Sequence, residues 1–341
     1  MKWSSQHHTF LNLFLNNLRK VIRLVQNNNM YFLKEPYERK LERMKSITRT
    51  FMRKHDGNVY VSFSGGIDST VLTDVAAQVS YEEGMTLHIA NVNTGIEYPE
   101  VQTFVVDFME YLTCKYPTLD IQMSIIKPNQ SHKDFIMENG YPIISKEQCQ
   151  FICELRETKS ERLRDIRLNG NKYGMGKVAN KYLYLVYEAP FKITYKCCPT
   201  FKLNPLIEYE KDTGLVCMVG TTASESLLRR TKFMKHGFVN KSASRIVYKP
   251  LSAFNKNDIL AYLYGNHIPY SSAYGIIIPT QKGFCTSECD RTGCFSCLYG
   301  IQYEKGVNRI ERLRKTHPDL YEYCIYEVEY AKVLDYLDIR Y

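Results

Sequence analysis

Val59-Tyr60-Val61-Ser62-Phe63-Ser64-Gly65-Gly66-Ile67-Asp68-Ser69-Thr70-Val71-Leu72 passes from an apolar, β-prone run through a small polar corner into residues with helical spacing, Val71, Leu72 and Val75. A strand that turns through glycines into a helix builds an anion cradle. The first N–H groups of a helix lack intrahelical partners, and its dipole favours negative charge there. Gly65 and Gly66 let the backbone turn tightly and approach a ligand with no Cβ in the way. Ser64 and Ser69 add hydroxyl donors. Asp68 repels a phosphate unless a cation stands between them, so it is a candidate Mg²⁺ contact and the candidate catalytic carboxylate. The competing reading is an ordinary Gly-Ser turn. The Gly-Lys-Ser/Thr ending of the Walker loop is absent.

Outward from this stretch, a helix is expected to about Gln78 and a strand over Met85 to Asn91. A strand, a helix and a second strand at this spacing form a βαβ unit, which requires a parallel sheet. Ligands of such sheets gather at the carboxyl ends of the strands, so Asn93-Thr94-Gly95-Ile96-Glu97 is expected beside the phosphate loop. A third strand is expected over Asp120 to Ile126 and another over Leu215 to Val219. The last runs into Gly220-Thr221-Thr222-Ala223-Ser224-Glu225-Ser226, with Arg229-Arg230 one turn later. This second strand-to-helix junction again reads as an anion site. Glu225 and Arg229, four apart, share a helix face; the plainer reading is a helix cap with a surface pair.

The totals bound the rest. The chain of 341 residues is long enough for one large domain and a smaller one, and 44% hydrophobic with 24% charged residues is an ordinary globular composition. The net charge of +9 suits a polyanionic ligand, a nucleotide or a nucleic acid. No run approaches the roughly 20 apolar residues of a membrane span, and Phe10 to Leu18 is interrupted by Asn12, Asn16 and Asn17 with no cleavage site after it. The cysteines are odd in number, 11, in a long chain, so the expected setting is a reducing cytoplasm where clustered Cys bind metal.

The expected organisation has three parts. Residues 1–35 form a variable extension with a short amphipathic helix and a linker at Asn27-Asn28-Asn29. Residues 36–255 form the nucleotide-binding domain, opening with a helix from Glu35 to His55 and carrying a basic helical insertion over 127–195 that reads equally as a lid or as plain surface. Residues 256–341 form a Cys-rich and helical region.

Two cysteine groups stand out. Cys197-Cys198 is followed by Lys202, which lies close to whatever the pair binds. Cys285-x3-Cys289-x4-Cys294-x2-Cys297 carries a C-x-x-C pair of the kind that puts two thiolates on one metal or cluster. One four-ligand set is Cys285, Cys289, Cys294 and Cys297, a compact zinc or Fe–S site. The other is Cys197, Cys198, Cys294 and Cys297.

Ser64-Gly65-Gly66-x-Asp68-Ser69 resembles the pyrophosphate loop of the PP-loop ATP pyrophosphatase superfamily, of the adenine nucleotide alpha hydrolase-like type, and within it the phosphoadenylyl-sulfate (PAPS) reductase family. Asn93 to Pro99 is similar to the family's Asp-Thr-Gly-x-Glu-Phe-Pro segment, and Gly220 to Ser226 to its Gly-x-Arg-x-x-Glu-Ser segment. The chain departs from the family at Ile67, where Lys is common, at Asn93 for Asp and at Thr222 for Arg. Residues 290–325 look like the end region of phage- and prophage-type members.

The resemblance implies an α/β fold: a doubly wound, mostly parallel, Rossmann-like sheet of the PP-loop/HUP type with a small Cys-rich C-terminal region. It implies an adenine nucleotide (an adenylyl sulfate or ATP with Mg²⁺) bound by Ser64, Gly65, Gly66, Asp68, Ser69, Asn93, Thr94, Gly95, Glu97, Lys202, Gly220, Thr221, Glu225 and Arg229. Cys-Cys…Cys-x-x-Cys is similar to the signature of assimilatory adenylyl-sulfate reductases, which favours Cys197, Cys198, Cys294 and Cys297 as ligands of a [4Fe–4S] cluster, with zinc as the alternative.

Family reductases attack sulfur with a Cys in Glu-Cys-Gly-Leu-His. That motif is not found here, and Cys324 is the last cysteine, so the reductase reading makes Cys324 or a partner thiol the nucleophile. A second reading is ATP-dependent thiolation of a nucleic acid, with sulfur from a donor protein. A third is a non-catalytic nucleotide-binding metalloprotein. The acceptor, the sulfur donor and the oligomeric state are not written in the sequence.

Overall fold

The computed structural model describes residues 28–242 and 245–341. The expected helix near residues 10–22 lies outside them. The linker expected at Asn27 to Asn29 is overturned at its last two residues, which are helical. The buried Asn29 amide donates to the carbonyls of Phe233 at 3.1 Å and Met234 at 3.2 Å, so the side chain is a tether rather than a spacer.

The chain divides into two compact units, and neither is continuous in sequence. Among the described residues the first holds 28–91, 99–125 and 209–292; the second holds 92–98, 126–208 and 293–341. This departs from the linear boundaries expected at 36–255 and 256–341. The physical reason lies in the cores. Apolar residues of the 127–195 insertion, among them Ile143, Ile152 and Leu185, share one buried cluster with Leu298, Ile310, Val333 and Leu334 of the tail. Residues 256–292 instead place Ile259, Leu260, Leu263 and Ile277 in the core of the first unit.

The first unit is built on a six-stranded sheet: β1 (Val59–Ser62), β2 (Leu87–Val92), β3 (Ile121–Ile126), β4 (Val216–Val219), β5 (Val239–Lys241) and β6 (Ile246–Tyr248). The strand order is β3-β2-β1-β4-β6-β5. β1 pairs in parallel with β2 and β4, and β4 with β6; β5 alone runs antiparallel, on β6. The chain leaves β1 for β2 and β3 on one side and returns to β4 on the other, so the order reverses between β1 and β4. In open parallel sheets that reversal opens a crevice at the carboxyl ends of the strands. Val59, Tyr60 and Val61 of β1 and Ile89 and Ala90 of β2 are buried one after another, without the alternation of a one-sided sheet, as expected for a covered parallel sheet.

The helix Ile67–Glu83 that follows β1 is buried on nearly every side, and it ends on Gly84 in the left-handed conformation at φ +64°. One of its buried residues is charged. Asp74 accepts from Lys115 Nζ at 2.7 Å and from the Tyr262 hydroxyl at 2.7 Å, which ties together three helices of this unit. A buried carboxylate persists when paired in this way. A separate two-stranded hairpin, β7 (Ile277–Thr280) with β8 (Gly283–Thr286), follows the helix Lys256–Gly265.

The second unit is helical, with helices His132–Asn139, Lys146–Glu157 and Glu161–Asn169 in the insertion and Arg309–Thr316 and Tyr330–Tyr336 in the tail. Ser131, Ser145 and Ser160 cap the first three through their side chains, which is why each helix starts where it does. Among the described residues no helix is long and apolar enough to cross a membrane.

Candidate active site

In the first unit the two sequence-predicted anion loops meet. β1 and β4 run in register to their ends, Ser62 opposite Val219, so the loops that leave them start side by side. Gly220 then lies against the start of the Ile67–Glu83 helix: a Cβ built on it would stand 2.7 Å from the Asp68 carbonyl oxygen and 2.9 Å from the Ser69 nitrogen. Only glycine allows that approach.

The phosphate loop is stiffened from within. Gly65 turns at φ +71° with the side chains of Val101 and Val105 directly behind it. The buried Ser69 hydroxyl accepts the Ser64 N–H at 3.2 Å and donates to the Gly66 carbonyl at 2.8 Å. Ser64 and Ser69 hydroxyls also stand 3.1 Å apart. These bonds fix the corner before any ligand arrives, a form of preorganisation.

Asp68 is half-buried at this corner. Burial pushes its carboxyl up to about 6, while Arg229, Arg291 and Lys256 pull it down. Three cations thus act on one carboxylate at a helix start, and Lys256 itself pairs with Asp290. Arg229 also pairs with Glu225 one turn earlier, and Arg291 stands 3.8 Å from the same Glu225 carboxylate. Glu225 and Arg229 do pair, but not on a shared helix face as expected: Ser226 caps the helix Leu227–His236, so Glu225 precedes it and the arrangement is a helix cap with a pair across it. Thr222 is buried, and its hydroxyl stands 3.0 Å from that of Ser224, which explains a small polar residue there.

Arg291, Lys256, Tyr274 and Thr292 are participants that reading the sequence missed. The buried Tyr274 hydroxyl accepts the Ile67 N–H at 3.3 Å and lies 2.9 Å from Thr292 Oγ1. Nothing marks Tyr274 among 27 tyrosines, whereas the basic and polar Asp290-Arg291-Thr292-Gly293 run carried a signal that the neighbouring cysteines overshadowed.

The second unit assembles the other predicted residues. Glu97 curls back on its own loop, accepting the Thr94 N–H at 3.1 Å and hydroxyl at 2.6 Å, while Gly95 turns at φ +76° and donates to Asn93 Oδ1 at 3.1 Å. The same loop is pinned to the cysteine segment. Glu97 and Cys294 form an antiparallel bridge, and the Phe295 N–H donates to the Ile96 carbonyl at 3.0 Å. Of the expected nucleotide contacts, Ser64 to Ser69, Gly220, Thr221, Glu225 and Arg229 therefore belong to the first unit. Asn93, Thr94, Gly95, Glu97 and Lys202 belong to the second.

Cys197, Cys198, Cys294 and Cys297 all belong to this second unit. Each of the other three thiols raises the proton affinity of Cys197, after burial itself. Burial likewise pushes Cys294 up to about 11 against the pull of Lys202. Burial lowers the proton affinity of Lys202, but Cys294 and Glu97 outweigh it, so the ammonium is held charged. Cys198 opens onto a π-helical turn, Pro199–Leu203, which allows two adjacent cysteines and Lys202 to converge. A single tetrahedral ion needs sulfurs at about 2.3 Å from it, and among the described residues no three His, Cys, Asp or Glu side chains have that arrangement. The four thiols and Lys202 lie in one unit, and Cys197 feels the other three.

Two expectations fare worse. Cys285 and Cys289 belong to the first unit, and Cys289 spends its Sγ on the Ala273 carbonyl at 3.0 Å, so the compact four-cysteine set is not drawn together within either unit. Cys324, the expected nucleophile, is fully buried, and burial pushes its thiol up to about 12. A thiol that is neither exposed nor ionised at neutral pH is a core residue.

Among curated proteins none matches this chain by sequence. Among solved structures, a phosphoadenylyl-sulfate reductase from Candida auris, a phosphate complex, is similar over 73% of this chain and 88% of its own at 15% identity and TM-score 0.37. The FMN adenylyltransferase of Candida glabrata, in complex with ATP, is similar over 75% and 68% at 14% identity and TM-score 0.35. The sequence model of the phosphoadenosine phosphosulfate reductase domain matches residues 58–299. That match takes in the β1 corner, the Asn93–Glu97 loop, Cys197-Cys198 with Lys202, the β4 loop and the Cys294–Cys297 pair, and the chain belongs to the phosphoadenosine phosphosulfate reductase domain family.

Proposed function

We propose that this chain is an enzyme of sulfur metabolism that grips an adenylyl nucleotide, an adenylyl sulfate or ATP, by its phosphates. The observation that carries the reading is the corner after β1. Helix-start amides and the close-packed Gly220 meet there, and Arg229, Arg291 and Lys256 lie near enough to pull on the charge of Asp68. The backbone amides and cations bind and orient the phosphates. Asp68 holds Mg²⁺ when the ligand is ATP, since a carboxylate next to a polyphosphate otherwise opposes binding. Thr221 and the Glu225–Arg229 pair border the same corner.

We assign a [4Fe–4S] cluster to Cys197, Cys198, Cys294 and Cys297 of the second unit, a reading supported by the mutual influence of the thiols on Cys197 and by the charged Lys202 near them. When bound, such a group supplies a redox-capable centre whose potential a neighbouring ammonium tunes. The Glu97 carboxylate, itself held by Thr94, favours the charged form of that ammonium. Solvent-shielded thiolates of this kind suit a reducing cytoplasm.

In the reductase reading the attacking thiol comes from a reductant partner, because Cys324 is buried. The thiolate displaces the nucleotide from the sulfate sulfur, and the resulting thiosulfonate is cleaved by a second thiol to sulfite and a disulfide. A second reading needs no attacking thiol at all. In it an acceptor group of a nucleic acid attacks the α-phosphate of ATP, pyrophosphate leaves on the Ser64–Ser69 loop, and a sulfide-level sulfur from a donor protein then displaces AMP from the adenylated acceptor. The charge of +9 suits that acceptor.

Anaerobically reconstituted full-length protein separates the readings. Sulfite release from an adenylyl sulfate with a dithiol supports the first. Pyrophosphate release from Mg–ATP that rises with added tRNA or DNA supports the second. Nucleotide binding with neither product means a non-catalytic module, and no nucleotide binding at all overturns the site.

A further inference from the structure

One buried contact at the phosphate corner bears on how it accepts a ligand. The Ile67 N–H is the first amide of the Ile67–Glu83 helix, one of the donors that an anion would use. It is already engaged. The Tyr274 hydroxyl oxygen accepts it at 3.3 Å, accepts the Thr292 N–H at 3.4 Å, and shares a hydrogen bond with Thr292 Oγ1 at 2.9 Å. A phenol oxygen has two lone pairs and one proton. Two N–H groups fill the lone pairs, which leaves the proton for Thr292 Oγ1. The hydroxyl is saturated and has nothing further to offer a ligand.

Its surroundings hold it there. Tyr274 is buried, and burial keeps the phenol neutral. It ends a short turn whose next residue, Gly275, sits at φ +68° with the Ser287 hydroxyl so close that a Cβ has no room. The hydroxyl also faces Gly66: a Cβ built there would lie 3.4 Å from it and 3.5 Å from the Ser64 hydroxyl. The phenol oxygen therefore stands on the ligand-facing glycine, next to Ser64. Both N–H bonds to it are long, at 3.3 and 3.4 Å. Weak, neutral hydrogen bonds give way to the shorter and stronger ones that a charged oxygen makes.

We propose that Tyr274 is a positioning residue of the phosphate site whose hydroxyl stands in for a phosphoryl oxygen on the Ile67 amide, and that a bound polyphosphate takes its place. This rests on the phosphate-binding reading of the Ser64–Ser69 corner. The stand-in keeps a buried amide satisfied while the corner waits, at the cost of competing with the ligand. When the phosphate arrives, the hydroxyl gives up the Ile67 amide together with its bonds to Thr292.

The consequence has a sign that damage to the fold cannot imitate. Removing the hydroxyl should tighten binding. The test is calorimetric titration of the full-length chain with inorganic pyrophosphate, and separately with Mg–ATP, for wild type, Tyr274→Phe and Thr292→Val. Tyr274→Phe leaves the amide unsatisfied until the ligand comes, and affinity should rise by about three- to tenfold. Thr292→Val removes one anchor of the hydroxyl and should give a smaller gain, roughly twofold; it carries the test if the phenylalanine variant fails to fold. Wild type that binds neither probe removes the phosphate-site reading itself. Wild type that binds, with folded variants no tighter or weaker, overturns the role of Tyr274 and leaves the site standing.

Discussion

Gly220 touches the backbone of Asp68 so closely that a single added carbon would stand 2.7 Å from the Asp68 carbonyl oxygen. The neighbour is backbone at the start of a buried helix, so it has no flexible end to move aside. Gly220→Ala is expected to destabilise the first unit by about 1–3 kcal/mol through overpacking. It should also weaken nucleotide binding, because the loop after β4 is pushed off the phosphate corner. Denaturant unfolding and nucleotide titration check this. Unchanged binding would show that the two loops do not share a ligand.

Asp68 tests function apart from stability. Burial opposes its charge, so the carboxylate does little for the fold. Asp68→Ala is expected to leave unfolding within about 0.5 kcal/mol of wild type. Mg²⁺-dependent turnover should fall on the order of 100-fold, the scale seen when a preorganised charge at a reacting centre is lost. Parallel losses of stability and turnover would count against a catalytic carboxylate.

The cysteines make a discriminating set. Cys197→Ser or Cys294→Ser should abolish iron and acid-labile sulfide after anaerobic reconstitution, since three thiolates cannot complete a four-ligand site. Cys285→Ser should retain both, because Cys285 is exposed and belongs to the other unit. Iron loss from Cys285→Ser, or one zinc and no iron in wild type, would overturn the assignment to Cys197, Cys198, Cys294 and Cys297.

What the sequence made legible was local. The Val59–Leu72 stretch carries its own strand, turn and helix signals, and the parallel β1–β2 pairing follows from the spacing of the next strand. The Gly220 junction was readable for the same reason, because a strand followed by glycine and hydroxyls has few alternatives. The division into units was not legible. Which core Leu298 or Ile310 joins depends on contacts with residues more than a hundred positions away, such as Ile143, and no periodicity encodes that. Cys324 misled because a sequence shows a thiol but not its burial. Tyr274 was invisible because a tyrosine in a polar loop looks alike whether its hydroxyl meets water or the Ile67 amide.

His132 gives the pH prediction. It is buried in the second unit with Ser296 Oγ at 3.3 Å and the Tyr323 hydroxyl at 3.4 Å from its two ring nitrogens, and with the Phe201 ring beside it. Among the described residues no carboxylate is bonded to either nitrogen. Burial alone brings the imidazole down from 6.5 to about 4. The folded state therefore keeps His132 neutral at pH values where the unfolded chain has protonated it. Stability is complete above about pH 6.5 and is lost as pH falls toward about 4, with a full extent of roughly 3 kcal/mol. His132→Gln keeps a polar group for Ser296 but cannot protonate. It should start less stable at pH 7 through imperfect packing, then lose less than wild type between pH 6.5 and pH 4.5. Urea unfolding at a series of pH values reads both slopes. If they run parallel, the acid sensitivity of the second unit has another source, and the buried imidazole is only a packing residue.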